Sequence, residues 1–154
     1  MTIDIGDAAP AFTLPADSGG EIALSDYAGK AVVLYFYPKD MTPGCTIEAI
    51  DFSALAGEFE KAGAVVIGVS KDSPARHDKF CKKHDLKIRL VSDADGTLCD
   101  AYGAWKQKSM YGRTFMGIER TTFLINDRGA LQQIWRKVKV KNHAAEVLAV
   151  VQGL

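Results

Sequence analysis

The chain is predicted to fold as an α/β sandwich with mixed strand directions. Three features carry this expectation: apolar runs with no polar face, helical patterns lying between them, and a turn-rich hairpin toward the C-terminus. Residues 31–37 (Ala-Val-Val-Leu-Tyr-Phe-Tyr) are apolar throughout, and 64–70 (Ala-Val-Val-Ile-Gly-Val-Ser) repeat that character up to Ser70, as strands covered on both faces do. Residues 88–92 and 121–125 repeat that character more briefly. Between the first two runs, Cys45, Ala49, Phe52, Leu55, Ala56 and Phe59 recur at helical spacing, predicting one helix over 43–61 that Gly63 ends. Ser73-Pro74 pairs a capping residue with the proline favoured in a first turn, predicting a helix to about His84. A short helix is expected over 97–102. Asn126-Asp127-Arg128-Gly129 supplies turn chemistry between 121–125 and 131–136, which reads as a hairpin. Asn142 is expected to cap a last amphipathic helix ending near Gly153. A small hairpin over 12–24 turns at Ser18-Gly19-Gly20.

A length of 154 residues, 47% of them hydrophobic and 25% charged, is ordinary for one domain, expected to occupy 1–154. Nineteen basic residues balance nineteen acidic ones, so no net field draws the protein to nucleic acid or an acidic membrane surface. The longest apolar run has seven residues, far below the roughly 20 that cross a bilayer as a helix. Met1-Thr2-Ile3-Asp4 does not lead from a basic segment into an apolar one as a secretory signal does; a cytoplasmic location is expected. Three cysteines, Cys45, Cys81 and Cys99, cannot all pair within one chain. The question is then which thiol is reactive.

The run 31–37 leads into Pro38-Lys39-Asp40-Met41-Thr42-Pro43-Gly44-Cys45, so a cysteine is expected in the first turn of the next helix. Free N–H groups and the positive end of the helix dipole favour a thiolate there. Thr42 is expected as the N-cap, its hydroxyl accepting from the Cys45 N–H, and Pro43 as the first helical residue. That hydroxyl could also hold an oxygen of a substrate. The plainer reading of Cys45, a small hydrophobe on an apolar helix face, fits less well beside Pro43 and Gly44.

Pro38, Thr42 and Cys45, following a Tyr-Phe-Tyr strand end, resemble the active-site motif of peroxiredoxins. Thr42-Pro43-Gly44-Cys45-Thr46 with Glu48 is similar to the bacterioferritin comigratory protein, or PrxQ, subfamily. The resemblance extends through Gly6-Asp7-Ala8-Ala9-Pro10-Ala11-Phe12 and through Gly117-Ile118-Glu119-Arg120-Thr121-Thr122-Phe123-Leu124-Ile125. It implies a thioredoxin-like fold, with a central mixed sheet flanked by helices and an N-terminal hairpin. It also implies reduction of hydrogen peroxide and organic hydroperoxides in antioxidant defence, without metal, haem or flavin. Cys45 would be the peroxidatic nucleophile, Pro38 its shield, Thr42 a hydrogen-bonding partner of the peroxide, and Arg120 the group completing the site. Read alone, Arg120 is a residue opening an apolar strand, which solvent would satisfy; turned inward, it needs an anion, and the Cys45 thiolate or Glu48 would serve. Glu48 lies one turn beyond Cys45 and could orient Arg120, or could simply favour the helix dipole.

Many subfamily members carry a second cysteine five residues after the first, where this chain has Ile50. Related proteins place it on the following helix, which makes Cys81 the candidate resolving thiol. Its sulfur would join Cys45 in a disulfide that thioredoxin or a similar dithiol reduces. The resemblance also favours a monomer. Two alternatives stand beside this reading: a one-cysteine peroxidase recycled by glutathione and glutaredoxin, and a thioredoxin-like binding module whose Cys45 is inert. Cys99 reads as structural. His77, Cys81 and His84 share a helix face but offer no fourth zinc ligand, and Asp93-Ala94-Asp95-Gly96 departs from a calcium loop and reads as a turn. Residues 136–141 alternate lysine with valine like a protected strand edge. Trp105 and Tyr111 either border the Cys45 pocket, as the resemblance implies, or pack plainly.

Overall fold

The computed structural model describes residues 3–154; Met1 and Thr2, part of the opening read for a signal, lie outside the described residues. A hairpin of β1 (Thr13–Pro15) and β2 (Glu21–Ala23) turns through Ser18, Gly19 and Gly20, all at positive φ. A single 3₁₀ turn, Leu24–Tyr27, leads on toward β3 (Ala31–Phe36). Then follow α1 (Pro43–Ala54), α2 (Ala56–Lys61), β4 (Ala64–Ser70), α3 (Pro74–His84), β5 (Arg89–Ser92) and α4 (Thr97–Ala101). The chain ends with β6 (Trp105–Met110), β7 (Arg113–Ile118), β8 (Thr121–Ile125), β9 (Leu131–Trp135) and α5 (His143–Gln152).

Five strands form the central sheet in the order β5-β4-β3-β8-β9. β3 pairs parallel with β4, β4 parallel with β5, and β3 antiparallel with β8, with Leu34 opposite Phe123 and Phe36 opposite Thr121. Apolar side chains alternate to both faces of β3, which explains its unbroken apolar run. Val33 and Tyr35 join Ala49, Phe52, Phe59, Phe80 and Val147 from α1, α2, α3 and α5 on one side; Val32, Leu34 and Phe36 join Leu98, Tyr102 and Phe123 on the other. Four helices thus cover one face of a mixed sheet, and α4 with residues of the N-terminal hairpin covers the other, the thioredoxin-like arrangement expected of the resemblance.

Several expectations require correction. The single helix over 43–61 is two helices, interrupted at Leu55, whose N–H turns back to the Phe52 and Ser53 carbonyls as the last turn of α1 tightens. Residues 136–141 are not a strand edge. Lys137 takes φ +50, which breaks the extended run, and the Val138 N–H donates to the Arg120 carbonyl instead of to a neighbouring strand. Asn142 precedes α5 at φ +62, but its side chain does not cap the helix. The ribbon β6–β7 went unread because Lys106, Gln107, Lys108 and Ser109 lack apolar alternation. Its signal was Tyr111-Gly112, a two-residue turn with both φ angles positive. Tyr111 is 97% exposed at that tip and packs against little. Trp105 packs against the second core cluster with the Lys71 ammonium 4.5 Å from its ring centroid.

Candidate active site

The loop from Pro38 to Thr42 carries the chain from the end of β3 into α1. Pro43 occupies the start of that helix and has no N–H to leave unpaired. Cys45 follows in the first turn, with only 1% of its surface exposed. The first helical hydrogen bond in this turn runs from the Thr46 N–H to the Thr42 carbonyl at 2.9 Å. Among the described residues, the Gly44 and Cys45 N–H groups make no hydrogen bond. They are two donors at the positive end of a helix, beside a sulfur.

Thr42 departs from its expected capping role. It is extended, as an N-cap residue is, but its hydroxyl donates to the Lys39 carbonyl at 2.8 Å and accepts nothing from α1. The hydroxyl hydrogen is thereby committed, and the oxygen keeps its lone pairs for an incoming donor. Pro38 lies half-buried at the end of β3.

Arg120 turns inward. Its Nη1 donates to Glu48 Oε1 at 2.5 Å, and its Nη2 lies 3.4 Å from Cys45 Sγ. One planar guanidinium thus spans a carboxylate and the sulfur, with 17% of its side chain exposed against 1% for Glu48. The approach is close: a Cβ placed on Gly44 would meet Arg120 Nη2 at 3.2 Å. Sheet pairing brings this about. β8 runs antiparallel to β3, so Arg120, just before β8, comes level with the end of β3, where the Cys45 loop departs.

Glu48 holds its second oxygen, Oε2, buried without a hydrogen-bond partner. Burial pushes its carboxyl up from the ordinary 4.5 to about 7, against the downward pull of Arg120. A raised folded-state value means that the stability gained from protonated Glu48 is complete below about pH 4.5 and is lost as pH rises through 7. The gap corresponds to roughly 3 kcal/mol. In the Glu48→Gln protein, the decline of unfolding free energy from about pH 5 to about pH 8 is expected to be smaller by that order. Urea titrations across the range measure it, and an unchanged slope would place the proton elsewhere.

Behind Arg120 stands a residue that sequence reading missed. His143, buried at the start of α5, has its Nε2 2.8 Å from the Thr122 hydroxyl and its ring edge-on between Phe52 and Trp135. Burial, aided by the Arg120 charge, pulls its pKa down to about 4, so the ring stays neutral beside the guanidinium. Its position after Asn142 suggested only a helix start.

Cys81 lies on α3, half-buried against the same core cluster as Cys45. Burial, reinforced by Asp17, Asp40 and Asp78, pushes its thiol up to about 12. Cys99 is fully buried and pushed up further still, by burial and then by the Asp93 side chain, as befits a structural thiol. His77 has no ring nitrogen free to share a zinc with Cys81 and His84: both are taken, by Asp40 Oδ2 at 2.6 Å and the Val91 carbonyl at 3.0 Å. Among the described residues, Asp40, Asp72 and His77 are close enough to share a cation. Tyr37, Ser70, Arg76 and the Asp40 N–H already occupy those carboxylates.

A thioredoxin-like sheet that sets a buried cysteine at a helix start, under an arginine held by a glutamate, defines a thiol peroxidase. Residues 5–134 match the AhpC/TSA family, and the chain belongs to that family. It is 51% identical over 154 residues to Peroxiredoxin Bcp of Bacillus subtilis, covering 100% of this chain and 98% of that one. The solved Bacterioferritin Comigratory Protein of Xanthomonas campestris, described for its alkyl peroxide reduction activity, superposes with a TM-score of 0.88 at 48% identity, covering 92% of this chain and 90% of that one. Two cysteine-to-serine mutants of Xanthomonas campestris Peroxiredoxin Q match with the same TM-score and coverage at 49% identity. Their two replaced positions are as far apart along that chain as Cys45 and Cys81 are along this one. No helix among the described residues is long and apolar enough to cross a membrane.

Proposed function

We propose that Cys45 is the peroxidatic nucleophile of this thiol peroxidase and that Cys81 resolves its oxidised form. The observation that carries the assignment is the Arg120 guanidinium shared between Cys45 Sγ and Glu48 Oε1. The Cys45 thiolate attacks the hydrogen-bearing oxygen of a hydroperoxide; a sulfur–oxygen bond forms and the oxygen–oxygen bond breaks. Cys45 becomes a sulfenic acid, and the departing alkoxide, or hydroxide from hydrogen peroxide, takes back from solvent the proton that the thiol gave up on ionising, leaving as an alcohol or water. Charge growing on that oxygen meets Arg120 and the unpaired Gly44 and Cys45 N–H groups. Thr42, its own hydrogen given to Lys39, accepts from the peroxide O–H and so sets the attacked oxygen toward the sulfur. Pro38 screens the sulfur from solvent, and Glu48 acts through Arg120 as a positioning residue.

The Cys81 thiol then displaces water from the sulfenic acid and forms a Cys45–Cys81 disulfide. A thiol held near a pKa of 12 is a weak attacking group, so this step follows local opening that brings it into water. The matching interval between the two cysteines replaced in Xanthomonas campestris Peroxiredoxin Q supports the pairing. A dithiol protein of the thioredoxin type would reduce the disulfide and become oxidised in turn, with the enzyme acting as a monomer in the cytoplasm. Three free thiols suit a reducing compartment.

The Cys81→Ser protein is expected to keep the first oxidation of Cys45 within about threefold of wild type while losing thioredoxin-linked turnover. Peptide mapping after one equivalent of peroxide, read beside a coupled turnover assay, checks both. Undiminished thioredoxin-linked turnover without Cys81 would remove its assignment as the resolving thiol, and wild-type protein whose Cys45 carries only glutathione would support a one-cysteine enzyme.

A further inference from the structure

Asp40 sits midway along the loop that delivers Cys45, yet most of its polar groups are bound outside that loop. Its Oδ2 lies 2.6 Å from His77 Nδ1, its N–H donates to Asp72 Oδ2 at 2.8 Å, and its carbonyl accepts from Arg76 Nη2 at 3.1 Å. Its Oδ1 accepts from the Tyr37 hydroxyl at 2.5 Å. Both side chains of the Asp40–His77 pair are wholly buried. Asp72 completes the arrangement by accepting from the Ser70 hydroxyl and pairing with Arg76 Nε at 3.0 Å.

The proton inventory of the pair follows from its partners. A carbonyl only accepts, so His77 Nε2 carries the hydrogen it shares with Val91. A second proton lies between Nδ1 and Oδ2. The pair is therefore neutral as a whole, and separating it strands either a charge or an unpaired group away from water. Met41, next to Asp40, is at φ +67, a conformation that a non-glycine residue keeps only where its surroundings over-determine it.

The pair also occupies a particular place along the chain. Asp40 shortly precedes Cys45, and His77 lies one helical turn before Cys81 on the same face of α3. The two segments that carry the cysteines are thus joined by this wholly buried pair and, nearer the surface, by the Arg76 hydrogen bond to the Asp40 carbonyl.

We propose that Asp40–His77 is a latch that holds the Cys45 loop and α3 closed, and that its opening sets how the Cys45 sulfenic acid is partitioned. With the latch shut, Cys81 cannot reach the sulfenic acid. A second hydroperoxide can then transfer an oxygen to the sulfur, giving sulfinic acid and an alcohol or water. With the latch open, the thiol displaces water and the disulfide forms. Asp40 and His77 are positioning residues: neither touches the peroxide. The partition rests on the assignment of Cys81 above, whereas the closure of the loop does not.

Two substitutions at one position separate a latch from general packing. Counted in bonds from Cα, an asparagine amide nitrogen corresponds to His77 Nδ1 and a glutamine amide nitrogen to His77 Nε2. His77→Gln therefore keeps the Val91 link and loses Asp40, while His77→Asn keeps Asp40 and loses Val91. Hydrogen exchange on the reduced protein is expected to show amides of residues 45–49 and of α3 opening about tenfold or more faster in His77→Gln, with β3 and β8 unchanged. In His77→Asn the same amides are expected to stay within about threefold of wild type. After one equivalent of peroxide, His77→Gln should form the Cys45–Cys81 bond correspondingly faster, and in excess peroxide it should accumulate less sulfinic acid. Equal exchange in the two variants, or acceleration spread evenly through the sheet, overturns the latch. A wild-type protein that forms no Cys45–Cys81 bond overturns the assignment of Cys81, while the exchange comparison still decides the latch.

Discussion

Peroxide consumption by the Cys45→Ser protein is expected to fall to the uncatalysed rate, a loss of about six orders of magnitude or more on the usual scale of enzymic acceleration. A serine hydroxyl remains protonated at neutral pH and has neither the charge nor the polarisability of a thiolate, and among the described residues the side-chain partner at position 45 is Arg120, a cation that cannot act as a general base. The fold should survive the change. The new hydroxyl would occupy the volume of a residue 1% exposed and could still accept from Arg120 Nη2, limiting the cost to about 1–3 kcal/mol. Rapid-mixing measurement of peroxide loss, read beside a urea midpoint, separates chemistry from folding. Persisting turnover would move the nucleophile to another residue.

The second large effect is expected at Arg120. In Arg120→Met a side chain of similar reach lacks the cation, and the rate constant for Cys45 oxidation should fall about 10²–10³-fold, the usual scale for losing one preorganised donor to a developing oxyanion. Glu48 would lose the charge that lowers its pKa and would be held protonated more firmly at neutral pH. Lysine should recover only part of the rate, because a point charge cannot span the sulfur and the carboxylate as the fork of a guanidinium does. Single-turnover oxidation followed by stopped flow gives the comparison. A rate within about threefold of wild type in Arg120→Met would leave the backbone N–H groups as the sole stabilisers of the leaving oxygen.

These two residues were legible to different degrees. Cys45 could be found from local chemistry: an apolar strand, a proline, and a helix start marked by Pro43 and Gly44 place a thiol among free N–H groups. Arg120 could not. Its neighbours in sequence describe only the start of an apolar strand, and its role depended on the resemblance until β8 was seen to pair with β3. His143, and the pairing of Asp40 with His77, escaped for the same reason. A histidine after a helix cap and an aspartate in a loop look like solvated groups until the packing closes over them. The error at Thr42 was of another kind: a threonine before a helix has more than one acceptor within reach, and the Lys39 carbonyl took its hydrogen.

The sequence by itself determined the order of the central strands and the helices between them, apart from the β6–β7 ribbon and the break at Leu55, together with the two-sided burial of β3 and the placing of a thiol at a helix end. Each depends on periodicity, caps and turn residues acting over a few positions. Only the tertiary structure decided that a guanidinium reaches the thiol, that a glutamate holds it, and that a buried aspartate–histidine pair joins the two cysteine-bearing segments. Those contacts arise from strand pairing and helix packing between residues far apart in the chain, where spacing along the backbone carries no information about distance.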